Sequence, residues 1–358
     1  MVTLWKRWIC VVFLGMFISI SADCETTFEK AVRLFNDGKV AQSKPLFLDA
    51  VKEDPRNAEA LYYLGMLAID SDYDGAIDYL KNAVDLNGGV AKYHFKLGDA
   101  YGVKAQRGGL FGKIGAASNC KEQYINAICL DAKLTEARLH LIEFYLQAPG
   151  IVGGSVKKAM AHADTIKSYD AYEGYLAEAR IHDYQKEKAQ QEECYRKAMT
   201  TDPKRPDAYR ALWLIAMADN DGTKADEIFK NALAAVGNKS DLYLQVGLYY
   251  IEKNDFIKAR GMFDESLKKN PQNDAVYYQL GKVALLSGVD LNQGLASFEK
   301  FCQMPHSKNS PGVEYAYWRI GMIYEKLGKS DSARLAYKKS LEISPNFENA
   351  KKALEKLN

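Results

Sequence analysis

Five histidines, at His94, His140, His162, His182 and His306, six cysteines and the glycine pairs Gly108-Gly109 and Gly153-Gly154 are the residues from which this chain would have to build chemistry. A zinc-protease helix needs two histidines four residues apart with a glutamate between them, and no such pair occurs. His140 and His162 are expected to approach across one helical hairpin, with Glu143 one turn from His140, but no cysteine or third ligand at suitable spacing completes a metal site. Gly108-Gly109 and Gly153-Gly154 are not followed by Gly-Lys-Ser or Gly-Lys-Thr and follow no strand, so they do not read as phosphate cradles. A Gly-x-Ser-x-Gly elbow is missing, as is a cysteine with a base partner at motif spacing. Carboxylate pairs such as Glu192-Glu193 are ordinary on helix faces. The expectation is no catalysis, no metal and no cofactor.

What remains is a step of about 34 residues that returns the same side chains in the same order. Glycine follows an apolar residue at Gly65, Gly98, Gly247, Gly281 and Gly321. Two copies are complete: Gly247, Tyr250, Ala259, Phe263 and Pro271, then Gly321, Tyr324, Ala333, Tyr337 and Pro345. A small residue midway along one helix and an alanine early in the next let two backbones approach, aromatics fill the gap, and proline ends the unit because it cannot continue a helix. Units of this kind bury their apolar faces only by stacking.

This spacing resembles the tetratricopeptide repeat, which implies an all-α, right-handed superhelix of antiparallel helix pairs. Unit starts fall at Cys24, Ala58, Ala91, Thr135, Tyr172, Pro206, Ser240, Asp274 and Glu314, nine in all, so the array spans 24–347. Unit one has Ala31 in place of the glycine. A last amphipathic helix, 348–358, carries Ala350, Ala353, Leu354 and Leu357 toward one side and lysines toward the other, the pattern of a cap.

Two steps are long. In unit three a glycine-rich insertion, Ala105 to Gly115, is expected as a loop between the helices, and in unit four a shorter one runs from Gln147 to Ser155. Their sequences, with Leu110-Phe111-Gly112-Lys113 in the first and Tyr145-Leu146-Gln147-Ala148-Pro149-Gly150-Ile151 in the second, resemble those of a family of exported bacterial repeat proteins; the resemblance covers roughly Tyr93 to Ala163 and implies no activity. Leu110, Phe111, Ile114, Ile151 and Val152 are expected to fold over the widened gap between the units. Leu110, Phe111, Lys113, Pro149 and Ile151 form a candidate patch on that edge.

Lys6 and Arg7 precede an apolar run from Trp8 to Ile20, and small residues at Ser19, Ser21 and Ala22 end it, the order of a secretory signal peptide over 1–22. The chain is therefore expected to be exported to the periplasm or cell envelope. The alternative is a membrane-associated assembly component held by an uncleaved signal or by a lipidated Cys24, so membrane contact is expected through the N-terminus only. The 48 basic and 46 acidic residues become 46 of each once Lys6 and Arg7 leave, which excludes an electrostatic footprint for nucleic acid. Loss of Cys10 leaves five cysteines, an odd set that cannot pair fully. Cys120 and Cys129 are expected as buried structural thiols.

In resembling proteins the concave surface is built from the first helix of each unit. The fifth residues here include Tyr62, Phe95, Arg210, Leu244, Tyr278 and Trp318, and the ninth include Met66, Leu214, Leu248 and Met322, with Asp99, Glu143, Arg180 and Lys282 between them. The lysine and asparagine arrangement that grips acidic chaperone tails is missing. An apolar groove flanked by charge implies a protein-interaction scaffold whose partner is a hydrophobic helix or extended segment of another protein. Those ten residues are its expected contacts.

Overall fold

The computed structural model describes residues 25–107, 110–306 and 310–357, without the side chains of 110–112. Among the described residues there are nineteen α-helices, one short 3-10 helix and no strand. The first eighteen form nine pairs: α1 (Thr27–Asn36) with α2 (Val40–Glu53), α3 (Ala58–Ala68) with α4 (Tyr73–Leu86), and α5 (Ala91–Arg107) with α6 (Leu110–Leu130). There follow α7 (Thr135–Gln147) with α8 (Val156–Lys167), α9 (Ala171–Gln185) with α10 (Lys188–Thr201), and α11 (Asp207–Ala218) with α12 (Gly222–Ala235). The last pairs are α13 (Lys239–Glu252) with α14 (Phe256–Lys269), α15 (Asp274–Ser287) with α16 (Leu291–Gln303), and α17 (Val313–Lys326) with α18 (Ser330–Ile343); α19 (Glu348–Lys356) caps the array.

The landmark glycines are where the paired helices meet most closely. A methyl group added at Gly281 would come within 2.6 Å of the Phe298 ring, one at Gly98 within 2.6 Å of the Tyr124 ring, and one at Gly65 within 2.5 Å of Leu80. Such distances are shorter than carbon–carbon contact permits. The second-helix side chain therefore lies flush on a bare stretch of first-helix backbone. Phe263, Phe298 and Tyr337 are completely buried as a result.

Local chemistry sets the turns. After α2, α6, α10 and α14 the side chains of Asp54, Asp131, Asp202 and Asn270 accept from the backbone N–H two residues on, at 2.9, 2.9, 3.1 and 3.0 Å, an Asx turn that replaces the helical hydrogen bond. Within pairs, the backbone reverses through left-handed residues at Gly38, Lys186, Asn220, Asn254, Gly288 and Gly328. Successive first helices also touch, α3 on α5, α7 on α9, α13 on α15 and α15 on α17.

The two insertions fold differently from each other. In unit three the expected loop is mostly helix among the described residues: α5 runs to Arg107 and α6 starts at Leu110, where alanine, glutamine, arginine and leucine favour helix. The extension of α5 is tied to unit two, where Lys104 pairs with Asp74 at 2.7 Å and Arg107 donates to the Asp70 carbonyl at 2.8 Å. In unit four the chain makes a compact turn around a 3-10 helix at Gly150–Val152, closed by the Ser155 N–H donating to the Tyr145 carbonyl at 2.8 Å. The expected covering of the gap does not occur for Ile114 or Ile151, which are 57% and 87% exposed. Backbone hydrogen bonds hold the turn, so its tip has no need to pack inward.

Cys129 also departs from expectation: it is exposed, while Cys120 is buried. Nine residues are about two and a half helical turns, which puts the two on opposite faces of α6. Burial pushes the Cys120 thiol up to about 12. No helix of the described residues is long and apolar enough to cross a membrane.

Candidate partner-binding site

Unit six breaks the landmark rule. Where units two, three, seven, eight and nine place glycine, unit six places Trp213. An indole there holds α12 off α11, and Phe229, the counterpart of Phe263 and Phe298, is left half-buried. The core of the unit divides into two small clusters, Trp213 with Ala216, Ala225 and Val246, and Tyr209 with Ala232, Val236 and Leu242. Between them, where α11, α12 and α13 meet, lies a cleft of about 550 Å³. Trp213 is fixed edge-on against Tyr249, with ring centres 4.9 Å apart, so the floor is rigid and aromatic.

Three of the expected contacts converge on this cleft: Arg210, Leu214 and Leu248 line it. Leu214 is 41% exposed at its mouth. Arg210 is exposed and makes no ion pair among the described residues. A second pair, Trp318 and Met322, lines a smaller cleft of about 450 Å³ between α17 and α19, rimmed by Lys326, Lys352 and Lys356. Met66 is half-buried on α3, beside neither.

Four expected contacts are not on an open surface. Tyr62, Phe95, Leu244 and Tyr278 are buried. Three of them reach the next helix pair: Tyr62 packs on Tyr93 at 5.2 Å, Phe95 on His140 at 5.0 Å, and the Tyr278 hydroxyl accepts from Arg319 at 2.9 Å. Their area is already spent on stacking the units. The ninth residues, one turn on, keep the accessibility that these four lack. In the insertion patch, Lys113, Pro149 and Ile151 are exposed, whereas the side chains of Leu110 and Phe111 lie outside the described residues.

The charged ninth residues have distinct environments. Asp99 accepts from Lys96 at 2.8 Å, from the Tyr124 hydroxyl at 2.8 Å and from His140 Nδ1 at 2.9 Å. Burial alone would raise its carboxyl, but the bonds from His140 and Lys96 outweigh that and hold it below its ordinary value of 3.8. The contribution of this carboxylate to stability is therefore complete above that value and lost as pH falls through the lower folded one. Asp99→Asn is expected to cost about 2 kcal/mol at neutral pH, and the gap from wild type in urea midpoints should narrow at about pH 3. On α15, Lys282 is pushed down by burial and by neighbouring Arg319; Arg319 itself donates to the Tyr278 hydroxyl at 2.9 Å.

His140 and His162 are not brought together. His140 sits on Asp99, while His162 stacks on Tyr145 with ring centres 5.6 Å apart. Among the described residues no group of three or more histidine, cysteine or carboxylate side chains is arranged to hold a metal ion. The cleft in unit six was absent from the expectations, although its signal, tryptophan at a glycine position, stands in the sequence.

Tetratricopeptide repeat models match residues 172–205 and 314–347 in one case and 28–89 in another. No curated protein matches the chain. Solved structures that resemble it include PilW, a widely conserved type IV pilus biogenesis factor, at 19% identity over 62% of this chain and 99% of that one, with a TM-score of 0.41. Others are a thermophilic TPR protein of Thermus thermophilus (20% identity, 51% and 93% coverage, TM-score 0.41) and a tetratricopeptide repeat protein from Parabacteroides merdae (13%, 92% and 97%, 0.40). The repeat models, together with nine stacked helix pairs and their glycine-to-ring packing, make this chain a tetratricopeptide repeat protein.

Proposed function

We propose that the chain is an exported, non-catalytic scaffold that holds a segment of another polypeptide against its first-helix face, with the cleft of unit six as the anchor. Tetratricopeptide repeats generally serve as interaction scaffolds for proteins or peptides. The observation that carries the reading here is the cleft itself: a preformed, mostly apolar hollow of about 550 Å³ with an aromatic floor and an unpaired arginine at its edge. Hollows of this size and lining take large apolar side chains, and desolvated aromatic surface supplies much of interface affinity. Leu214 and Leu248 close on the inserted side chain, Arg210 faces the adjoining backbone or an acidic neighbour, and the Trp318–Met322 cleft offers a further contact three units away.

Export rests on Lys6, Arg7, the apolar run to Ile20 and the small residues before Asp23, all outside the described residues. In this reading 1–22 is removed near Ser21 or Ala22 and the repeat body works in the periplasm or envelope. Affinity capture from the envelope of the native host tests the partner claim. The double variant Leu214→Asp with Leu248→Asp is expected to retain at most about a tenth of the partner bound by wild type, a loss of at least 1.4 kcal/mol, with unchanged helicity. Equal capture by both proteins would refute the assignment of the cleft.

A further inference from the structure

Two stretches of the chain, 102–121 and 144–163, hold six basic residues and no acidic one. In the whole chain 46 of 358 residues are acidic, a density at which these forty positions would carry about five. The fold brings both stretches to one edge of units three and four. Ile114 and Lys121 are two turns apart on one face of α6, about 10 Å along its axis, and Lys121 Nζ donates to the Val152 carbonyl of the unit-four turn at 3.3 Å. The 3-10 turn is thereby fixed against the side of α6. Its tip residue Ile151 and the α6 residue Ile114 are both solvent-exposed isoleucines.

The basic groups around them fall into two sets. Lys104 and Arg107 are matched by Asp74 and Asp70 of unit two. Lys113, Lys121, Lys157 and Lys158 have no carboxylate partner among the described residues; Lys158 lies 5.6 Å over the Tyr145 ring. Of the nearest acids, Glu143 is bonded to Gln147 beside the Asp99 cluster, and Glu122 follows Lys121 about 100° around the helix. Apolar tips ringed by unpaired lysines therefore project from an ordered edge.

We infer that this edge docks on an anionic lipid surface, with Ile114 and Ile151 entering the headgroup layer and Lys113, Lys121, Lys157 and Lys158 facing lipid phosphates. A protein partner would require a packed, desolvated centre; two separate projecting tips with a basic surround match instead the division of labour seen in interfacial membrane binding, apolar insertion plus attraction to anionic lipid. The contact is independent of the cleft in unit six, which lies two units farther along the array.

Co-sedimentation with vesicles tests it, using protein spanning 25–358, which holds all nineteen helices. Phosphatidylglycerol-containing vesicles should bind the protein about tenfold more tightly than pure phosphatidylcholine, and about 0.5 M salt should remove the difference. The triple variant Ile151→Asp, Lys157→Glu, Lys158→Glu should lose about tenfold in partitioning without a change in melting temperature. Leu214→Asp should bind vesicles like wild type, which separates this contact from the partner cleft. No preference for anionic vesicles, as expected if an acidic protein were the occupant, or equal partitioning of wild type and triple variant, would overturn the inference.

Discussion

Gly281→Val is expected to lower the stability of the repeat body by about 3 kcal/mol or more. The reason is local and geometric. A Cβ at residue 281 would stand 2.6 to 2.7 Å from three atoms of the Phe298 ring, and that ring is completely buried with Tyr278 edge-on to it at 5.5 Å. Neither ring can withdraw without separating α15 from α16. In a solenoid each unit is stabilised by its neighbours, so the loss spreads into units seven and nine. Gly261 supplies the contrast: it is exposed on α14 and an added Cβ would meet nothing within 4 Å. Gly261→Ala should stabilise by about 0.5–1 kcal/mol through helix propensity. Urea midpoints of the two variants are thus expected to move in opposite directions, and equal shifts would contradict the close-approach account of the landmark glycines.

Trp213→Ala is expected to cost about 3–5 kcal/mol and to abolish partner capture together with it. Trp213 joins one of the two divided clusters to Tyr249 and Tyr250 of the next unit. Its removal opens the cleft floor and unstacks unit six from unit seven. Leu214→Asp separates the two consequences, because an exposed side chain at the cleft mouth is replaced with little effect on stability while the apolar surface offered to a partner is lost. Thermal melts and capture measured on the same preparations distinguish the roles: Trp213→Ala moves both, Leu214→Asp only capture.

Most of the architecture is legible in the sequence because the packing is local and repeated. Gly65, Gly98, Gly247, Gly281 and Gly321 mark the close approaches directly, and Phe263, Phe298 and Tyr337 mark what fills them. The remaining pairs follow from the 34-residue step, and the cap from the amphipathic pattern of 348–358. Where the repeat varies, side-chain type is a weaker guide. Ala105 to Gly115 reads as a loop by its glycines, yet its described residues are helical, since Ala105, Gln106, Arg107 and Leu110 favour helix and Arg107 and Lys104 find acceptors in unit two. The first-helix surface is half legible. Spacing puts Tyr62 and Met66, or Leu244 and Leu248, on one helix face but does not say which member the next unit covers; the structure shows Tyr62 and Leu244 buried and Met66 and Leu248 partly accessible. Trp213 is the residue whose meaning needed the fold, since its weight comes from standing where five other units have glycine.

The central claim is that a polypeptide partner lies in the cleft of unit six, and site-specific photo-crosslinking in the native host tests it most directly. A photoreactive residue in place of Leu214 should give a discrete protein adduct, while the same residue in place of Leu335, an exposed position on α18 outside the cleft, should give none. No adduct at position 214, or the same adducts at both positions, would contradict the account.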